Sequence, residues 1–152
     1  MPSITSLADR LQRDYPDIIF VKGDDFHWSP SNKTVTYVQD VKDETASLLH
    51  ELSHALLGHI DYKKDISLIE MERDAWRYAK DTLGQTYDQT ISEDTIEDAL
   101  DSYRDWLHAR STCPTCQATG MQTKREEYRC LACRTKWRVN EARICALRRY
   151  TL

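Results

Sequence analysis

The sequence has no apolar run that approaches the roughly 20 residues needed to span a bilayer. Its first residues contain no positively charged stretch followed by an apolar one, so we expect no secretory signal. Internal repeats and low-complexity tracts are also absent. With 40% hydrophobic and 30% charged residues, the composition is typical of a soluble globular protein. We therefore expect a cytoplasmic protein with no membrane partner.

Cysteine is missing from the first 110 residues, and all five cysteines follow that point. The charge changes at the same place. Residues 1–110 hold 12 Lys/Arg and 22 Asp/Glu, whereas residues 111–152 hold 9 Lys/Arg and 3 Asp/Glu. This split predicts a domain over 1–110 and a small basic module over 111–152, with different partners.

The basic module contains two C-x-x-C pairs, and in a chain without an export signal such pairs are more often metal ligands than disulfides. Together they can close a tetrahedral four-thiolate site for a structural Zn²⁺. The four predicted ligands are Cys113, Cys116, Cys130 and Cys133. The pattern resembles a zinc ribbon, with strands expected at 127–129 and 136–139. A redox role for the cysteines is the weaker alternative, because the two pairs match.

Periodicity along the first 110 residues predicts an α+β fold in which a small antiparallel sheet precedes three helices. The expected helices are 4–14, 43–57, 65–83 and 92–108, and the expected strands lie near 18–21, 26–28 and 34–38. A short basic helix is expected to end the chain.

The helix over 43–57 carries the motif H-E-x-x-H as His50, Glu51 and His54. Positions i and i+4 lie on one helix face, so both imidazoles can bind a single Zn²⁺. Glu51 lies one residue further round the helix, where it can take a proton from water at the open coordination position. The motif therefore predicts a catalytic zinc with Glu51 as the general base.

A catalytic zinc needs a third protein ligand. His59 follows His54 by five residues, whereas the metzincin pattern requires six, so that class is excluded. The remaining candidates are Glu70 and Glu72 on the next helix. Glu72 shares its face with apolar residues and Glu70 shares its face with charged ones. Because a buried carboxylate is costly unless it is paired or binds a cation, we expect Glu72 to be the ligand.

The strings HELSHALLGH and ERDAWRYAKDTL resemble the ImmA/IrrE family of metallopeptidases, in which an HExxH helix is followed by a helix with E-x-x-A-x-x-F-A. Glu72, Ala75, Tyr78 and Ala79 fall on that pattern, with Tyr in place of Phe. The resemblance implies a compact zincin-like fold, a zinc held by His50, His54 and Glu72, and cleavage of transcriptional repressors. Trp76 departs from the Asp or Asn that many zincins use to support a ligand histidine, which leaves that partner unassigned.

The sequence also suggests how a substrate would be bound. The oxyanion donor besides zinc is one of His59, Tyr62, Tyr37 and His27. A peptide substrate is expected to add as an extra strand along residues 34–38.

The basic module favours contact with nucleic acid or with an acidic protein surface. The residues predicted to make this contact are Lys124, Arg125, Arg129, Arg134, Lys136, Trp137 and Arg138. The whole chain is thus expected to be a zinc endopeptidase with one catalytic and one structural Zn²⁺, acting on a protein that can be DNA-bound. The alternatives are a SprT/Spartan-like protease, disfavoured because no histidine lies between His59 and His108, and a regulatory binding protein whose HExxH domain is inactive.

Overall fold

The computed structural model describes residues 3–143 and 145–152, which form an α+β structure with two small sheets. The helices are α1 (Ile4–Asp14), α2 (Glu44–Leu56), α3 (Asp65–Tyr78), α4 (Gly84–Thr86) and α5 (Glu93–Ser111), with a π-helical turn at Ala79–Leu83. The strands are β1 (Ile19–Lys22), β2 (His27–Ser29), β3 (Thr34–Tyr37), β4 (Met121–Lys124), β5 (Glu127–Arg129), β6 (Lys136–Val139) and β7 (Arg149–Thr151). The predicted α+β class is confirmed.

The chain packs as two compact units. The first comprises Met1–Ile60 and Met71–Ile96, and the second comprises Asp61–Glu70 and Glu97–Leu152. Residues 61–70 and 97–110 thus group with the cysteine-containing residues. The domain boundary expected after residue 110 remains a prediction. None of the described helices combines the length and the apolarity that a membrane crossing requires.

In the first unit, α1 begins and ends where its periodicity predicts. The Ser3 side chain accepts a hydrogen bond from the backbone N–H of Ser6, which caps the helix N-terminus. The residue before Pro16 is disfavoured in helical conformation, so α1 ends ahead of it. The apolar stripe of α1 is buried; its members are Ile4, Leu7, Ala8 and Leu11.

The first sheet has the order β1-β3-β2 and is mixed. The β2 and β3 strands form the expected antiparallel hairpin, but β1 pairs with β3 in parallel, with Ile19 opposite Thr34. The prediction of a purely antiparallel sheet is therefore wrong. The segment from β1 to β3 already contains β2, so it is long enough to act as a parallel crossover.

The helix α2 buries Leu48, Leu49 and Leu52, which places its histidines on a fixed face of the first unit. The next helix was expected to run to residue 83, but it changes to a π-helical turn after Tyr78. Gly84 was expected near a helix end and is instead helical. A Cβ there would lie 2.6 Å from the carbonyl oxygen of Gln89, so the glycine permits a close backbone approach.

The second unit has an antiparallel sheet of order β4-β5-β6-β7. The strands expected at 127–129 and 136–139 are present as β5 and β6. The expected C-terminal basic helix is wrong, because Arg149–Thr151 pairs with β6 as β7. A strand in that position satisfies backbone groups along the edge of β6. The core of this sheet is built from Cys113, Tyr128, Cys130, Trp137 and Val139.

A buried ion pair lies beside that core. The Asp65 carboxylate accepts a hydrogen bond from Arg110 Nε at 2.8 Å and another from the Tyr128 hydroxyl. Arg110 also donates to the backbone carbonyl of Glu141 at 2.9 Å. Burial first, and then the charge and hydrogen bond of Asp65, raise the pKa of Tyr128.

Candidate metal centres

Three buried side chains of the first unit converge on one point. His50 and His54 project from α2, and Glu72 projects from α3. His50 Nε2 lies 2.9 Å from one Glu72 oxygen, His54 Nε2 lies 3.1 Å from the other, and the two Nε2 atoms are 3.1 Å apart. The three residues are only 6%, 8% and 6% exposed, respectively. We call this group the His-His-Glu centre.

Helical phase explains why Glu72 and not Glu70 joins this centre. Ala75, Trp76 and Ala79 lie on the same side of α3 and its continuation as Glu72, and all three are buried. Glu70 is exposed. Burial alone would raise the pKa of Glu72, but the hydrogen bonds and charges of His50 and His54 lower it well below its usual value. A lowered pKa favours the ionised carboxylate, which is the form that binds a metal.

The His-His-Glu centre fits a divalent metal ion. Two imidazole nitrogens and one carboxylate are the donor set of a catalytic zinc with an open position. An ion at about 2.0–2.1 Å from each donor in tetrahedral geometry would separate the donors by about 3.3 Å. The observed separations of 2.9 and 3.1 Å reach that value after shifts of a few tenths of an ångström.

Glu51 lies on α2 between the two histidines in sequence and is half-buried. Its carboxylate is not one of the grouped donors. Burial raises the pKa of Glu51, and Glu72 raises it too, while His50 and His54 act in the opposite direction. A carboxylate held beside the centre but outside the donor group can act on a proton there.

The outer nitrogens of the two histidines differ in their surroundings. His54 Nδ1 lies 2.9 Å from His59 Nδ1. His50 stacks on Trp76, with ring centroids 4.1 Å apart, and its buried Nδ1 has no hydrogen-bond partner in the part of the chain that the structure describes. Trp76 therefore supports His50 by packing and not through the polar partner that metal-ligating histidines usually have.

Sequence reasoning missed the role of His59 beside His54, although a signal was present. Gly58 has φ +72°, and the N–H groups of Gly58 and His59 bond to the carbonyls of Ala55 and His54. These two bonds define a Schellman motif, in which the residue after the glycine contacts the one five positions earlier. The motif therefore brings His59 back to His54, and their side chains meet there.

The other three oxyanion candidates differ in their exposure and in the unit they belong to. Tyr37 is buried on β3, His27 is exposed on β2, and Tyr62 belongs to the second unit. The predicted substrate position along residues 34–38 is wrong, because β3 is the central strand and both of its edges are paired. The free edges of this sheet are β1 and β2. His27 on β2 is close enough to Glu51 to lower its pKa.

In the second unit the four predicted cysteines come together, and we call them the four-cysteine cluster. Cys113 Sγ lies 3.6 Å from Cys133 Sγ, and Cys116 Sγ lies 3.4 Å from Cys130 Sγ. All four sulfurs lie within 4.8 Å of one another, and none forms a disulfide. Tetrahedral zinc with bonds of about 2.3 Å would separate thiolates by about 3.8 Å, so the cluster fits a closed metal site.

The two C-x-x-C turns of the cluster have the same backbone. In each, the residue after the second cysteine, Gln117 or Arg134, has a positive φ of 66° or 65°. Its N–H bonds to the carbonyl of the first cysteine at 3.0 Å. The first cysteine's own N–H bonds five residues ahead, to Ala118 or Thr135, at 2.8 Å. Matched turns present two pairs of sulfurs to one point.

The four thiols of the cluster share their protons unevenly: the pKa values of Cys113 and Cys133 are lowered, whereas that of Cys116 is raised. Burial raises the pKa of the Cys113 thiol, but backbone N–H groups of Cys116 and Thr115 outweigh it and lower the pKa to about 6. A lowered pKa favours the thiolate, which is the form that binds metal.

The predicted basic contact residues divide into two groups. Trp137 is wholly buried, stacks on Tyr128, and donates its indole N–H to the carbonyl of Arg110. It belongs to the core, so its predicted role in surface contact is wrong. The exposed members are Lys124, Arg125, Arg129, Arg134, Lys136 and Arg138.

Comparison of the chain with protein-family models, curated proteins and solved structures finds no match. The candidate centres therefore rest on their own geometry.

Proposed function

We propose that the chain is a zinc-dependent endopeptidase of the ImmA/IrrE type, with the His-His-Glu centre as its catalytic site. The observation that carries this proposal is the convergence of His50, His54 and Glu72 within 3.1 Å of one another, with Glu51 alongside. Structural zinc sites are usually closed by four protein ligands. A three-donor group with a nearby carboxylate is the arrangement of hydrolytic zinc enzymes.

Zinc held by these three side chains would supply a Lewis acid that lowers the pKa of water and polarises a peptide carbonyl. The protein supplies the proton transfers. Glu51 accepts the proton of the attacking water and later delivers it to the leaving amine. Trp76 and His59 hold the rings of His50 and His54 in place.

The substrate is a protein segment in extended conformation, for which we propose the free edge of β2. This strand carries His27, whose charge lowers the pKa of Glu51. An added strand would bring a peptide past that carboxylate by backbone hydrogen bonds, which select conformation more than sequence. The sequence resemblance makes a transcriptional repressor the first substrate class to test.

The four-cysteine cluster is proposed to hold a second, structural zinc. Two of its members, Cys113 and Cys130, lie inside the core of the second sheet. So small a core contributes limited hydrophobic free energy, so metal binding is expected to supply much of the folding free energy of this unit.

The test is a substrate trap. Glu51→Gln should keep its metal and its fold but lose proteolysis, so proteins it captures in a cell extract should be cleaved by the wild-type enzyme and not by the variant. Glu70→Gln is the matched control, because that exposed carboxylate on α3 lies outside the centre; it should cleave like the wild type.

Two outcomes would contradict the proposal. If the wild-type protein, carrying its full metal content, leaves every captured protein intact, the binding-protein alternative replaces the peptidase. If Glu51→Gln cleaves as fast as the wild type, Glu51 is not the general base. Cleavage restricted to DNA-bound proteins would favour the SprT/Spartan-like alternative over the repressor peptidase.

A further inference from the structure

The second sheet has two unlike faces. Along β5 and β6, Tyr128, Trp137 and Val139 point into the core. Of the residues that alternate with them, Glu127 is half-buried and the others, Arg129, Lys136 and Arg138, are exposed. The strand register puts Arg129 opposite Lys136, and Arg138 opposite Tyr150. We call these four side chains the outer face.

The cations of the outer face are not neutralised. Within residues 3–143 and 145–152, Arg129, Lys136 and Arg138 form no ion pair with a carboxylate. Glu127 stands opposite Arg138 in the strand register, but its carboxylate is paired with Lys124 at 3.3 Å. Three positive charges that are close together and form no ion pair repel one another, so a bound polyanion would stabilise them.

The spacing of these charges suits a chain of phosphates. Arg129 and Lys136 lie on neighbouring strands, about 4.8 Å apart in backbone position. Lys136 and Arg138 are two residues apart on one strand, which separates their backbones by about 7 Å. The cations therefore follow a line across and along the sheet instead of meeting at one point.

An aromatic ring completes the surface. Tyr150 is 43% exposed, and the Arg138 guanidinium lies 5.4 Å from its ring centroid. An exposed ring next to a guanidinium can stack on an unpaired base while the cation contacts the neighbouring phosphate. Bases of a duplex are stacked on one another and offer no free face to such a ring.

We propose that the outer face binds single-stranded nucleic acid through Arg129, Lys136, Arg138 and Tyr150. The flat exposed side of a four-stranded sheet does not enter a B-DNA major groove, which admits a helix or a two-stranded ribbon. An acidic protein segment would use the cations but would have no need of the exposed ring. This assignment removes Trp137 from the surface, adds Tyr150, and is independent of the peptidase chemistry.

The test measures fluorescence anisotropy of labelled 15-nucleotide dT and rU strands with the full-length, zinc-loaded protein. Replacing the three cations together (R129Q, K136Q, R138Q) should weaken binding at least tenfold in 50 mM salt. It should also reduce the slope of log affinity against log salt by about 2, since each phosphate contact in a single strand contributes about 0.7. Comparing dT with rU separates DNA from RNA as the source of the strand.

The matched control replaces three exposed lysines elsewhere (K22Q, K42Q, K63Q), which changes the net charge equally and should leave the affinity within about twofold. Tyr150→Ala should weaken binding about tenfold and Tyr150→Phe should restore it, because stacking needs the ring and not the hydroxyl. Circular dichroism and zinc content verify that each variant is folded.

Four results would overturn the proposal. The first is that no strand binds in 50 mM salt, and the second is that both triple variants lose the same affinity. The third is that a duplex binds more tightly than the single strands, with an affinity that Tyr150→Ala leaves unchanged. The fourth is that poly-glutamate competes as effectively as unlabelled dT. The last result would instead identify the outer face as a dock for acidic protein.

Discussion

A histidine that binds a metal through one ring nitrogen needs its ring fixed in orientation. The first unit fixes the rings of its two candidate ligand histidines in different ways. His54 Nδ1 is 2.9 Å from His59 Nδ1, whereas His50 Nδ1 has no hydrogen-bond partner among the described residues and its ring stacks on Trp76. When His54 binds metal through Nε2, its proton must sit on Nδ1. His59 then accepts that proton's hydrogen bond and fixes the tautomer.

We predict that His59→Leu lowers zinc affinity at the His-His-Glu centre by about 10–100-fold, the range known for loss of such supporting groups. The side chain of leucine keeps the packing but cannot accept the hydrogen bond. A chelator competition titration on the folded protein measures the effect.

His59→Asn serves as the control for this prediction. The amide oxygen of asparagine occupies the position of the imidazole Nδ1 and can accept the same bond, so most of the affinity should return. Unchanged affinity in His59→Leu would show that the contact between His54 and His59 does not support the centre.

Within the second unit, the buried group of Asp65, Arg110 and Tyr128 joins the first turn of α3 and the last turn of α5 to β5. A buried carboxylate is destabilising unless its oxygens are satisfied. Here a guanidinium and a phenol both donate to Asp65, and Arg110 also donates to a backbone carbonyl of the segment before β7. The group therefore ties the helices to the sheet through hydrogen bonds as well as through apolar packing.

This group predicts a loss of stability in alkali. The pKa of Tyr128 is raised above that of the unfolded chain, about 10. Its contribution to the free energy of unfolding is therefore fully present below about pH 10 and is lost as the pH rises from there toward the folded-state pKa. Urea unfolding between pH 8 and pH 11 should show a steeper decline for the wild type than for Tyr128→Phe.

Tyr128→Phe should also be less stable at pH 8, by about 1–3 kcal/mol, because Asp65 loses one donor. Tyr150→Phe, at an exposed tyrosine, is the control and should follow the wild type throughout. Parallel declines for the wild type and Tyr128→Phe would mean that the ionisation of Tyr128 does not govern alkaline stability.

Local signals explain which elements could be predicted from the sequence. The Ser3 cap, the apolar stripe and Pro16 lie within α1 or beside it, so its bounds followed directly. The apolar stripe of α3 is also a local signal, and it was enough to distinguish Glu72 from Glu70. The parallel pairing of β1 could not be predicted, because strand partners are chosen by the packing of distant segments. The prediction that Trp137 makes surface contacts was wrong for a similar reason. Alternating Arg and Trp along a strand do not show which face of the sheet is covered by the rest of the protein.

The Schellman motif at the end of α2 is an intermediate case. Gly58 predicts the helix end, and the motif geometry then predicts that His59 meets His54. The change to a π-helical turn after Tyr78 has no sequence signal that we can identify.

On the scale of the whole molecule, the two candidate metal centres are separate. Their donor sets share no residue, and they lie in different compact units. The four-cysteine cluster contributes Cys113 and Cys130 to a hydrophobic core, whereas the His-His-Glu centre is bordered by a half-buried carboxylate that is not a donor. Metal loss at the two centres should therefore have different consequences.

We predict two zinc ions per chain, lost independently. His54→Ala and Glu72→Ala should each retain one ion and the fold, because the first unit keeps its core without the metal. Cys133→Ser should also retain one ion but should lose the ordered second sheet, since metal binding supplies much of the folding free energy there. Mass spectrometry counts the metal, and near-ultraviolet circular dichroism monitors the buried Trp106 and Trp137.

The controls for the metal count are Glu70→Ala and Cys145→Ser, which change exposed residues outside both centres and should keep two ions. Full retention of metal in Glu72→Ala would remove Glu72 from the donor set. Loss of both ions from any single variant would show that the centres depend on each other. Because a catalytic ion with an open position is held by fewer ligands, a chelator should remove it before the ion of the four-cysteine cluster. Proteolysis should then stop while the second sheet is still folded.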